Sequence, residues 1–154
     1  MDIHKELQPL TRYLPLEALV QKVQIPTMYL AEEVNHILPS IVLSKDGLTL
    51  ASLFLITSRL LCEVKVPGPQ SASEFDIISK QTIGDYRFKL WTQEIKEGDV
   101  VKASYDIAEI VLLHHPPIGY RTLLTYAGED REGWLNQVTT ALPTNIVLRH
   151  KNAS

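Results

Sequence analysis

Two adjacent histidines, His114 and His115, stand in the stretch IVLLHHPPIGYR, residues 110–121, between an apolar run and a proline pair. Imidazole is both the commonest metal ligand and the side chain best matched to proton transfer near neutral pH, so this pair is where chemistry would first be sought. An extended strand sends neighbouring side chains to opposite faces, and Pro116 biases His115 to extended backbone. Two histidines so placed do not converge on one ion. His4, His36 and His150 lie in the terminal extensions, and no H-E-x-x-H, C-x-x-C or His-x-His spacing occurs. The stretch reads as a strand end entering a reversal, with Pro117 and Gly119 at the positions that suit a type I turn.

Other chemistry-bearing residues follow the same course. Cys62, the single cysteine, lies near Leu61 and Val64 in a largely apolar run with no histidine beside it, and it reads as a small buried hydrophobe. The seven glycines are scattered, and no G-x-S-x-G, P-loop or G-x-G-x-x-G motif is present. The acidic pairs Glu32–Glu33 and Glu129–Asp130 read as solvated helix starts. No catalytic residue, metal ligand or cofactor is expected; an enzyme reading would need a small α+β fold that uses His114 or His115. Arg87, Lys89 and Trp91 recur at every second residue, so one strand face carries two cations and an aromatic ring suited to contact with an acidic partner.

The chain that positions these residues has 154 residues, 45% of them hydrophobic, enough for one sizeable core. Its 15 Lys plus Arg against 18 Asp plus Glu give a formal net charge of -3, which disfavours a non-specific grip on nucleic acid. A lone cysteine fits a reducing compartment. The first residues, MDIHKELQPL, carry acids and lack a continuous apolar core, so no signal peptide is expected. Arg59 near the middle of GLTLASLFLITSRLLCEVKV argues against a membrane span. A cytoplasmic location is expected, with peripheral membrane association left open.

Residues 1–39 read as a helical extension divided by prolines 9, 15, 26 and 39. Leu30, Val34, Ile37 and Leu38 fall on one helix face, so a second helix is expected that Thr27 caps and Pro39 ends. Lys45-Asp46-Gly47 signals a hairpin, followed by one long bent strand or two short ones through Val66 and a loop at residues 67–73. EFDIIS and DYRFKLWTQEI read as strands separated at Gly84-Asp85, with Tyr86, Phe88 and Leu90 opposite the Arg87 row. KEGD marks the next turn, and SYDIAEIVLLHH and YRTLLTYAG the next strands. In EDREGWLNQVTTALP the spacing of Trp134, Val138, Ala141 and Leu142 predicts an amphipathic helix that ends at Pro143.

Antiparallel strands followed by one closing helix resemble the pleckstrin-homology-like superfamily, particularly its GRAM-type and bacterial branches. The resemblance is carried by LFLITSRLL (53–61), which looks like an L-x-L-T-x-x-R-L strand, by DIAEIVLL (106–113) and by YAGEDREGWLNQVTTAL (126–142). It implies an α+β fold, mainly antiparallel, as a half-open barrel or sandwich capped by a C-terminal amphipathic helix. The domain would span residues 40–143, with a helical extension at 1–39 and a tail at 144–154. The resemblance also implies a non-catalytic binding or adaptor role, through contact with a protein or a membrane-associated partner. Phospholipid headgroup binding is the alternative, for which Lys45, Arg59 and Lys65 are the matching cations. The N-terminal helices either cover a sheet edge or present Tyr13, Leu14, Leu16 and Leu19 to a partner or a second copy.

Overall fold

The computed structural model describes residues 1–115 and 121–142. It is α+β, with two antiparallel sheets of four and three strands. The chain divides into two compact units, one formed by residues 1–40 and 49–82, the other by residues 41–48 and the chain from 83 onward.

The first unit opens with helix α1, Ile3–Leu7, whose Asp2 carboxylate accepts from the Lys5 N–H as an N-cap. A 3-10 turn, Gln8–Leu10, leads to helix α2, Leu16–Tyr29, which runs through Pro26. Pro26 falls near the helix end, where its missing N–H removes a single helical bond, and its buried ring adds to the core. The chain leaves the helix at Ala31, in the left-handed region (φ 54°).

The expected helix over residues 27–38 is therefore corrected: strand β1, His36–Ser44, takes its second half. Pro39 disfavours helical backbone at Leu38, and the Asn35 N–H donates to the Ile56 carbonyl at 2.8 Å, drawing the segment towards the sheet. Leu30, Val34 and Leu38 are all buried, but from a helix end, a connection and a strand. As an outer strand, β1 tolerates Pro39.

A turn at Lys45-Asp46, followed by Gly47 at φ +114°, joins β1 to strand β2, Gly47–Ile56. Strand β3 is Leu60–Lys65 and strand β4 is Phe75–Ser79; the sheet order is β1-β2-β3-β4. LFLITSRLL is thus a strand, a turn and a strand, not one strand. Thr57 makes the turn, its Oγ1 accepting from the Arg59 and Leu60 N–H groups. Helix α2 packs on β3, and its buried Lys22 donates to the carbonyls of Pro69 and Ala72, which ties down the loop before β4.

A 3-10 turn at Lys80–Thr82, and not Gly84-Asp85, separates β4 from strand β5, Ile83–Glu97. Strand β6 is Val100–His114 and strand β7 is Arg121–Gly128, ordered β5-β6-β7. Gly84 sits in β5 at a shift of register, where a Cβ would come 2.6 Å from the His115 ring. Gly98, at φ +63°, turns β5 into β6. Helix α3, Arg131–Ala141, is capped by Asp130, whose carboxylate accepts from the Gly133 N–H. Its Trp134 ring stacks 5.7 Å from Tyr126, and Trp134, Val138, Ala141 and Leu142 are buried as their spacing predicts, together with Leu135. The type I turn expected at 116–119, the stop at Pro143 and the tail 144–154 lie outside the described residues.

Candidate functional site

In the second unit the pleat of β5 sorts its side chains. Phe88 stands across from Ile110 and Leu124, which are fully buried, so this face holds the core together with Tyr126 and Trp134. Arg87, Lys89 and Trp91 point the other way. The register places Val111 and Leu123 beside Arg87, Glu109 and Thr125 beside Lys89, and Ile107 and Ala127 beside Trp91. One row further, Tyr105 lies across from Gln93. The outer face of this sheet thus carries two apolar groups, Trp91 with Ile107 and Val111 with Leu123, on either side of a polar row in which Lys89 stands opposite Glu109.

Trp91 is held from two sides. The Lys89 ammonium lies 4.8 Å from the centroid of its ring, and the Arg131 guanidinium donates to the backbone carbonyls of Trp91 (3.1 Å) and Ile107 (3.2 Å). A half-buried ring kept in one orientation by a cation is an anchor that loses little entropy when a partner covers it. Leu123, 47% exposed, forms a second apolar group with Val111, two rows along the face from Trp91. Neither Leu123 nor Tyr105, Ile107, Glu109 and Val111 was singled out from sequence, because only cross-strand register brings them to the same face as Trp91.

The other basic candidates are placed apart. Lys45 is exposed in the β1–β2 turn beside Asp46. Arg59 stands just before β3 and Lys65 ends it, which separates them by about 20 Å at the rise of an extended strand. Each meets a carboxylate. Arg59 Nε donates to Glu32 at 2.6 Å, and Lys65 Nζ donates to the largely buried Glu63 at 3.0 Å, which also accepts from Ser52. Hydrogen bonds from Thr57 first, then from Arg59, hold the Glu32 carboxyl below its ordinary range. Lys80 donates to the Thr57 carbonyl, and burial draws its pKa down against the opposing pull of Glu32.

The histidines part as alternation requires. His114 is buried, with Nε2 3.0 Å from Thr122 Oγ1, and burial lowers its pKa. His115 is exposed over Gly84. Cys62 is fully buried, its thiol pushed up to about 12 by burial and then by Asp76 and Glu63. Among the described residues no group of three or more His, Cys, Asp and Glu side chains could hold a metal ion, and no helix is long and apolar enough to cross a membrane. Of the N-terminal residues considered for contact, Leu19 is fully buried, whereas Tyr13, Leu14 and Leu16 keep partial exposure.

No family model, curated protein or solved structure matches the chain. Its function has to be argued from the surface itself.

Proposed function

We propose that this chain is a non-catalytic binding module that contacts a partner protein through the outer face of the β5-β6-β7 sheet. Trp91 is the anchor, and Arg87 and Lys89 favour an acidic surface opposite. The observation that carries this reading is the Lys89 ammonium over the Trp91 ring, with Ile107 in register beside it. Tryptophan and arginine are among the residues on which protein contacts concentrate their binding energy. Four antiparallel strands, three antiparallel strands and a closing amphipathic helix follow the order implied by the pleckstrin-homology-like resemblance. We read the fold as that family's half-open barrel or sandwich, in a cytoplasmic setting.

Protein contact is preferred to phospholipid binding because Arg59 and Lys65 are separated along β3 and each already meets a carboxylate. A multiply charged phosphate needs several cations converging on it. The test is affinity capture from the source cells with the wild type, Trp91→Ala and Lys89→Glu, alongside flotation with vesicles of phosphatidylserine and a polyphosphoinositide. The reading requires a discrete protein retained by the wild type and lost with both variants. Identical retained proteins would overturn it. So would retention on vesicles that disappears when Lys45, Arg59 and Lys65 are reversed in charge.

A further inference from the structure

Strand β4 closes one side of the four-stranded sheet, and among the described residues no strand pairs with its outer edge. Two bonds flanking the β3–β4 ladder set its parity: the Lys65 N–H donates to the Glu74 carbonyl at 2.9 Å, and the Lys80 N–H to the Arg59 carbonyl at 2.8 Å. Glu63 lies opposite Asp76 and Leu61 opposite Ile78, so the even-numbered positions bond to β3. Phe75 and Ile77 therefore turn their backbone N–H and C=O groups outward, ready for a further strand.

The side chains at this edge are apolar. Phe75 and Ile77 share a face with Val64 and Cys62, and there the Tyr29 ring lies 6.0 Å from Phe75. Ile25, Met28 and Tyr29, at helical spacing, form a strip along the flank of α2; they are 44%, 75% and 69% exposed, and Ile77 is 40% exposed. A strand laid against β4 would direct every second side chain to this strip. Glu74 and Asp76, both exposed, give the edge its charge.

We propose that the β4 edge takes up an extended segment of a partner protein as a fifth strand of this sheet. Alternate apolar residues of that segment meet Ile25, Met28, Tyr29 and Ile77, and its lysines or arginines meet Glu74 and Asp76. The outward backbone groups demand an extended chain, the strip selects apolar residues at period two, and the acids select cations. A second copy of this protein would bring its own Glu74 and Asp76 to the same edge, which a basic peptide instead neutralises. This proposal does not rest on the reading of the Trp91 face.

The experiment presents the full chain with a displayed library of random linear peptides and measures a selected, labelled peptide by fluorescence anisotropy. Enriched peptides alternate apolar residues with Lys or Arg, and NMR shows slowed exchange of the Phe75 and Ile77 amides when one is added. Met28→Lys, at an exposed site that does not threaten folding, weakens binding at least about tenfold. Ile77→Pro removes the outward N–H and does the same, its ladder neighbours being untouched. No enrichment overturns the proposal. So do peptides whose binding ignores Met28→Lys and leaves those amides unprotected, and so does a concentration-dependent dimer that Met28→Lys abolishes.

Discussion

Lys89 and Trp91 stand two positions apart on one strand face, and their contact does two jobs: it orients the ring and keeps a cation beside it. Truncating Lys89 to alanine should cost only about 0.5–1 kcal/mol of stability by chemical denaturation, as expected of an exposed cation over a ring. The same change should weaken the partner contact by more than that loss explains. His114 and Glu32 act on stability through pH. Burial makes the His114 imidazolium unfavourable in the folded chain, so the unfolded state takes up the proton first. The stability His114 provides is complete above its ordinary value of 6.5 and declines as pH falls below it towards the lowered folded pKa. Denaturation midpoints measured between pH 7.5 and pH 5.5 should fall for the wild type, and less for His114→Gln, which keeps a partner for Thr122. Glu32 acts lower: its carboxylate contribution is present above 4.5 and lost as pH falls through the lowered folded pKa, so Glu32→Gln should flatten the decline below pH 4.5. The separation of His114 from His115 was legible in the sequence, because alternation needs only the identity of a strand. The carboxylates facing Arg59 and Lys65 were not, since Glu32 lies 27 residues from Arg59 in the chain.

Elements were legible where a local signal marks them. Gly47 and the KEGD turn announced their hairpins through the positive φ that glycine accepts, and the closing helix announced itself through the spacing of Trp134, Val138 and Ala141. β1 was hidden because Leu30, Val34 and Leu38 imitate a helix face, whereas Pro39 acts on backbone and favours the strand. The β5–β6 pairing shows a subtler limit. Counting back from Glu97 and Val100 at the turn would set Trp91 against Asp106; an irregularity between Ile95 and Lys96 moves the register by one and sets it against Ile107. A slip of one residue changes which face a neighbour occupies, so the apolar setting of Trp91 depends on that bulge. Among the described residues β7 pairs with β6 only from Asp106 to Leu113, which leaves 93–105 there as a two-stranded ribbon. Two strands without a third are marginal in water. Amide exchange should therefore be faster in 93–105 than in 106–113, with binding of the partner slowing it nearest Trp91.

At the scale of the molecule, two units each carry an α+β arrangement and each offers a surface: a face with Trp91, Lys89 and Arg87 on the β5-β6-β7 sheet, and an apolar edge with acidic flank at β4 that pairs with no further strand among the described residues. The fold class and the closing helix could be read from pattern, because burying an apolar stripe imposes its period on the chain. The proposed contact face could not, since it is built from side chains that only register brings together. The most direct test places a photoreactive residue at position 123, on the same face as Trp91 and beside Val111, and another at exposed Ser58 in the first unit as a control. Irradiation in extract of the source cells should yield a discrete protein adduct from position 123, absent from Ser58 and lost when Trp91→Ala is added. No adduct at position 123, or one that survives Trp91→Ala unchanged, would contradict the account.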